Sequence, residues 1–170
     1  PPLFLSGQAC RDHASNSFFA AFLTLICAPA LHAQTIAPRE GWVVIGTDKS
    51  HADLLADLKT AVKANKMGVV TQAGPTGAAK ARGITIPQNR VVGVFNNDFA
   101  VQILSLSTAA MIEAPIRFYV TEEPDGTATL SYKTPSFVFS PYMVEAGPDL
   151  KSLAQDLDDR FARIAEAARK

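Results

Sequence analysis

Between Ile116 and Lys133 the chain spells out a β-hairpin. Ile116, Phe118 and Val120 alternate with Arg117, Tyr119 and Thr121, and Ala128, Leu130 and Tyr132 alternate with Thr127, Thr129, Ser131 and Lys133. A period of two sends successive side chains to opposite faces, so each run is a strand with one apolar face. Between them Pro124-Asp125-Gly126 is turn chemistry: a preset φ, a side chain that bonds nearby backbone, and a residue free to take positive φ. A lone hairpin is marginal in water, so its apolar face calls for further strands and a covering layer.

Those elements can be read along the rest of the chain. Gly41 to Thr47 is a short β-rich run, and Ser50 with Asp53 three residues on makes a capping-box-like helix start. Leu54, Leu55, Leu58, Ala61 and Val62 form the apolar stripe of that helix, which Asn65 to Gly68 ends. Met67 to Thr71 reads as a strand, and Gln72 to Asn89 as irregular with at most a turn or two of helix. Arg90 to Phe95 is nearly all apolar, which suits an interior strand. Asn97 is the expected cap of a helix from Asp98, with Phe99, Ala100, Ile103, Leu104 and Met111 as its buried face. Thr134 to Gly147 reads as lying outside regular structure, too apolar for a solvated loop, and a last amphipathic helix runs from Asp149 to about Ala168 behind Pro148. The expected fold is α+β: one two-layer domain over residues 41–170, mainly an antiparallel β-sheet with helices packed on one face.

Ahead of that domain stands the apolar run Phe18 to Ala33. It is shorter than the roughly 20 apolar residues of a membrane span. It contains Pro29 and ends in Ala-Leu-His-Ala before Gln34, the small-residue pattern of a secretory cleavage site. Residues 1–33 are therefore expected to be a removed signal with its upstream residues, 34–40 a linker, and the product periplasmic or secreted with no stable membrane insertion. The region before the run carries Arg11 as its only cation, balanced by Asp12, and the sequence opens on Pro1. A retained anchor is the alternative. Lipidation is disfavoured because Cys27 follows Ile26 instead of a small residue. Cleavage would remove both cysteines, Cys10 and Cys27, and the histidines His13 and His32, leaving His51 as the sole imidazole.

This loss excludes thiolate catalysis, disulfides and Cys/His zinc sites from the expected product. Net charge is zero, and Lys and Arg are interleaved with Asp and Glu, so no basic face recruits nucleic acid. His51 near Asp48 and Asp53 reads as an exposed helix start, short of the convergent ligands a metal needs. Glu122, Glu123 and Asp125 sit at a hairpin tip, where nothing separates their pKa values for acid/base work. Gly74-Pro75-Thr76-Gly77 lacks the Gly-Lys-Ser/Thr ending of a phosphate loop, and no Gly-x-Ser-x-Gly elbow occurs. No catalytic residue, metal site or cofactor is expected.

The candidates are for binding. Asn96 and Asn97, at a strand-to-helix junction, could meet a ligand, although Asn more often caps a helix. Tyr142 and Phe139 could wall a pocket, and Phe137, Phe139 and Met143 could form an interface or join the core.

The segments GVV, VFNNDFAVQIL and APIRFYVTEEPDGTATLSYKTPSFV, with the closing helix, resemble the domain of unknown function 302 family over roughly Gly41 to Ala168. The resemblance implies a compact two-layer α+β fold that tends to dimerise, and no assigned reaction. Asn96, Ala100 and Pro115 match its pattern; Asn97 replaces a usual Pro, and Ile116 stands where many members carry Cys. The expected function is a non-enzymatic, homodimeric, exported protein that binds a small molecule or an envelope protein. Alternatives are a metal- and cofactor-free enzyme using Asn, Asp, Ser or Tyr in a closed pocket, and a structural adaptor.

Overall fold

The computed structural model describes residues 36–170; the expected signal segment, with Cys10, Cys27, His13 and His32, lies outside them. Five strands, β1 (Trp42–Thr47), β2 (Gly68–Ala73), β3 (Asn89–Phe95), β4 (Ile116–Glu122) and β5 (Ala128–Lys133), form one sheet in the order β1-β5-β4-β3-β2. Every neighbouring pair is antiparallel. The helices are α1 (His51–Ala64), α2 (Thr76–Ala81), α3 (Asn97–Leu106), α4 (Pro135–Phe139) and α5 (Met143–Arg169), with short 3₁₀ turns at Ala110–Glu113 and Ser140–Tyr142. The α+β expectation holds.

The hairpin residues place the core. Phe118, Val120, Leu130 and Tyr132 point to the same face as Val92 and Val94 and are buried. Against them lie Leu54, Leu58 and Val62 of α1 and Leu150, Leu157, Phe161 and Ile164 of α5. Phe161 stacks on Phe118 with ring centres 4.4 Å apart and tilts against Tyr132 at 5.5 Å, so the last helix is keyed into the sheet centre by an aromatic trio. Lys49 ties the two ends of the domain together: its ammonium bonds Asp57 at 2.6 Å and the Ala168 carbonyl at 2.9 Å.

Local chemistry explains the boundaries. Ser50 caps α1 through its hydroxyl, which accepts from the Asp53 N–H at 3.2 Å. α5 breaks at Gly147, whose φ is +68°, and resumes with Pro148.

Three expectations need correction. Asn96, not Asn97, caps α3, because Asn96 holds the extended φ/ψ of a cap (−144°, 127°) while Asn97 is already helical. Leu104, expected on the buried face, is half exposed, since α3 buries only Ala100 and Ile103, and Met111, expected on the same face, lies past the end of α3 in the Ala110–Glu113 turn. Thr134 to Gly147 is mostly helical rather than irregular: Thr134 caps α4, and Pro135 and Pro141 fall at first turns, where a missing N–H costs nothing.

Candidate functional site

The second face of the sheet follows from the register. Trp42 pairs with Lys133, and continuing the β4–β5 register puts Lys133 opposite Arg117, which pairs with Gly93. The next row on this face is Val44, Ser131, Tyr119 and Val91; the third is Gly46, Thr129, Thr121 and Asn89. Among the described residues, both long helices sit on the opposite face, and this one is bordered by Glu113 of the Ala110–Glu113 turn and Val138 of α4. Gly93 is obligatory in the first row: a Cβ there would stand 2.1 Å from Thr71 Oγ1 and 2.9 Å from Pro115 Cγ.

A cavity of about 280 Å³ opens on this face, lined by Trp42, Val91, Glu113, Arg117, Tyr119, Lys133 and Val138 together with backbone around Ile116, Phe118 and Tyr132. Trp42 organises its cationic end. The Arg39 guanidinium lies 5.2 Å and the Lys133 ammonium 5.8 Å from the indole centre. Lower on the face, Thr121, Thr129 and Ser131 are buried, and their hydroxyls have no hydrogen-bond partner. A wider hollow of about 710 Å³ adjoins them, bounded by Thr85 to Asn89 and by Thr121, Glu122, Pro124 and Gly126.

The sequence candidates fall around this cavity or away from it. Asn96 spends its whole amide on structure: Oδ1 accepts from Phe99 N–H at 3.1 Å, and Nδ2 donates to the Lys66 carbonyl at 2.8 Å. Asn96 and Phe139 meet at a hollow of about 20 Å³, room for about one water. Asn97 is exposed. Phe139 is 1% exposed and belongs to the core, Met143 packs partly against it, and Phe137 covers Gly41. Tyr142 is linked to the cavity at one remove: its hydroxyl donates to Glu113 Oε1 at 2.8 Å. That bond, with some burial and the nearby Glu113 and Glu145 charges, raises the Tyr142 pKa and keeps it a phenol.

Trp42, Val91, Arg117, Tyr119, Lys133 and Val138 were not among the sequence candidates. The signal available was the alternation itself, which marks Arg117, Tyr119 and Lys133 as facing away from the core.

His51 lies at the other end of the core. Expected as an exposed helix start, it is instead buried, as the first residue of α1, with Nε2 unpartnered. Burial lowers its pKa; the Val120 backbone and Glu122 pull it up, and Arg90 pushes it further down. Among the described residues no group of three or more His, Cys, Asp or Glu is arranged to hold a metal ion, and no described helix is long and apolar enough to cross a membrane.

A family profile described as Domain of unknown function DUF302 matches residues 43–168. A crystal structure of an uncharacterized conserved DUF302 protein from Bacillus stearothermophilus superposes with a TM-score of 0.68 at 19% identity, covering 77% of this chain and 100% of the other. That likeness establishes the fold. No curated protein matches the chain. With the profile running from β1 to the end of α5, the chain belongs to the DUF302 family.

Proposed function

We propose that this DUF302 protein is a non-enzymatic binding protein of the cell envelope, exported behind a cleaved signal, working as a homodimer and taking a small molecule or partner on the sheet face opposite the two long helices. The observation that carries the reading is the 280 Å³ cavity, where Trp42, Tyr119, Val91 and Val138 give an apolar wall and Arg117 and Lys133 a charged one. Binding sites commonly combine a mostly apolar concavity with a few convergent polar groups. Export is supported by the Phe18 to Ala33 run and the Ala-Leu-His-Ala sequence before Gln34. For the dimer, support comes from the apolar side chains still exposed, among them Ile112 at 79% and Val144 at 98%, near the α3–α5 junction.

Native mass spectrometry of the protein purified from its own envelope tests assembly and occupancy together. A dimer mass carrying a retained small molecule is expected, and an empty monomer would refute both parts. N-terminal sequencing tests export: a start near Gln34 is expected, and one well upstream removes the cleaved signal.

A further inference from the structure

We infer that the cavity on the sheet face opposite α1 and α5 takes a small organic monoanion, a carboxylate or sulfonate carried on a flat apolar body. The inference rests on the binding reading above and names the chemistry of its ligand. The β4–β5 register, continued one residue beyond the Phe118–Tyr132 pair, sets Lys133 opposite Arg117 on adjacent strands, and like charges directly opposite in a sheet are destabilising. None of the ion pairs formed by the described residues involves either one. Arg39, drawn in over Trp42, adds a third cation to the same end. The single carboxylate lining the cavity, Glu113, already accepts a hydrogen bond from Tyr142.

An anion seated between Arg117 and Lys133 turns this repulsion into attraction. The planar guanidinium offers a carboxylate two parallel N–H donors, and the ammonium supplies a mobile point charge. Val91, Tyr119 and Val138 then border an apolar body. Size restricts it further: about 280 Å³ falls just below the roughly 300–1,000 Å³ of sites for drug-sized ligands. A polyanion would want more donors than these and fewer apolar walls.

The chain carries one tryptophan, Trp42, and it lines the cavity, so its emission reads the site directly. The test titrates the full chain, as recovered from expressing cells, with 4-phenylbutanoate, with 4-phenylbutanol and with inorganic phosphate, following Trp42 emission and heat. The acid should shift the emission and bind at least about tenfold tighter than the alcohol, the worth of a charged hydrogen bond, while phosphate leaves the emission unmoved. Arg117→Gln and Lys133→Gln, both at exposed positions, should each weaken the acid about tenfold without weakening the alcohol. In the ligand-free protein Arg117→Gln, which leaves the Lys133–Trp42 contact in place, should raise the unfolding midpoint by relieving the repulsion.

Equal binding of acid and alcohol would overturn the anion assignment and leave the cavity reading intact. If neither moves Trp42 and the envelope-purified protein retains nothing in native mass spectrometry, both readings fall. A lower midpoint for Arg117→Gln would show that the two cations are not a strained pair, and would also overturn the inference.

Discussion

Replacing Asn96 by Ala separates a scaffold role from a ligand role at the residue that the sequence offers most prominently. Two bonds are lost. Deleting the Oδ1 acceptor leaves Phe99 N–H without its cap, which costs about 0.5–2 kcal/mol. Deleting the Nδ2 donor releases the Lys66 carbonyl, in a residue held at φ +58°, for about another 0.5–1.5 kcal/mol. Asn96 is only partly buried, so water recovers some of the second term, and the expected loss is about 2 kcal/mol. Asn96→Asp keeps the cap acceptor and adds a favourable charge at the helix N-terminus but sets a carboxylate oxygen against the Lys66 carbonyl, so it should recover only part of the loss. Urea unfolding followed by circular dichroism measures this, with an unchanged m-value showing that only stability moved. Binding of 4-phenylbutanoate under native conditions should be unaffected. A loss below about 0.5 kcal/mol for Asn96→Ala, under the low end of cap energies, would refute the structural account. So would wild-type stability combined with lost binding.

Phe161→Ala removes the ring shared by Phe118 and Tyr132 and should cost about 3–5 kcal/mol, read as a lower urea midpoint; a cost under 1.5 would mean that α5 is not keyed by this residue. Thr129→Val replaces a fully buried, unpartnered hydroxyl with a methyl of the same shape and should leave stability unchanged or raise it by about 1 kcal/mol, so a clear loss in thermal unfolding would reveal a bond to that hydroxyl. His51 titrates below its ordinary value when folded, so as pH falls through about 6.5 the unfolded chain takes up a proton that the folded one resists, and stability declines until the folded pKa is passed. His51→Gln removes that component, and its stability-versus-pH curve should be flatter than the wild type's below pH 6.5; parallel curves would contradict the burial argument.

How much of this was legible from residue order depended on range. Alternation in Ile116 to Lys133 marks which side chains face the core, because period and face are local geometry. Ser50 and Asp53 fix the start of α1 for the same reason. Of two adjacent asparagines the sequence pointed to Asn97 as the α3 cap, since either side chain can accept the bond and only the backbone dihedrals select Asn96. Prolines 135 and 141 suggested irregular chain because proline breaks a helix interior, yet both stand at first turns. The cavity was out of reach. It needs Trp42 beside Lys133 and Lys133 beside Arg117, and that adjacency comes from strand order, which no local pattern carries.

The position of β1 also bears on when the domain can form. β1 is made first but pairs only with β5, through contacts such as Thr47 Oγ1 to the Ala128 carbonyl, 81 residues away in sequence. Closing so large a loop costs entropy before any pairing repays it, and distant pairings slow folding. A chain still emerging from the ribosome has α1 without α5, the helix that packs beside it, and no partner for its opening strand. Such a topology postpones cooperative folding until the whole sequence is free, and a chain that stays open through synthesis is one that can still be threaded through a narrow pore.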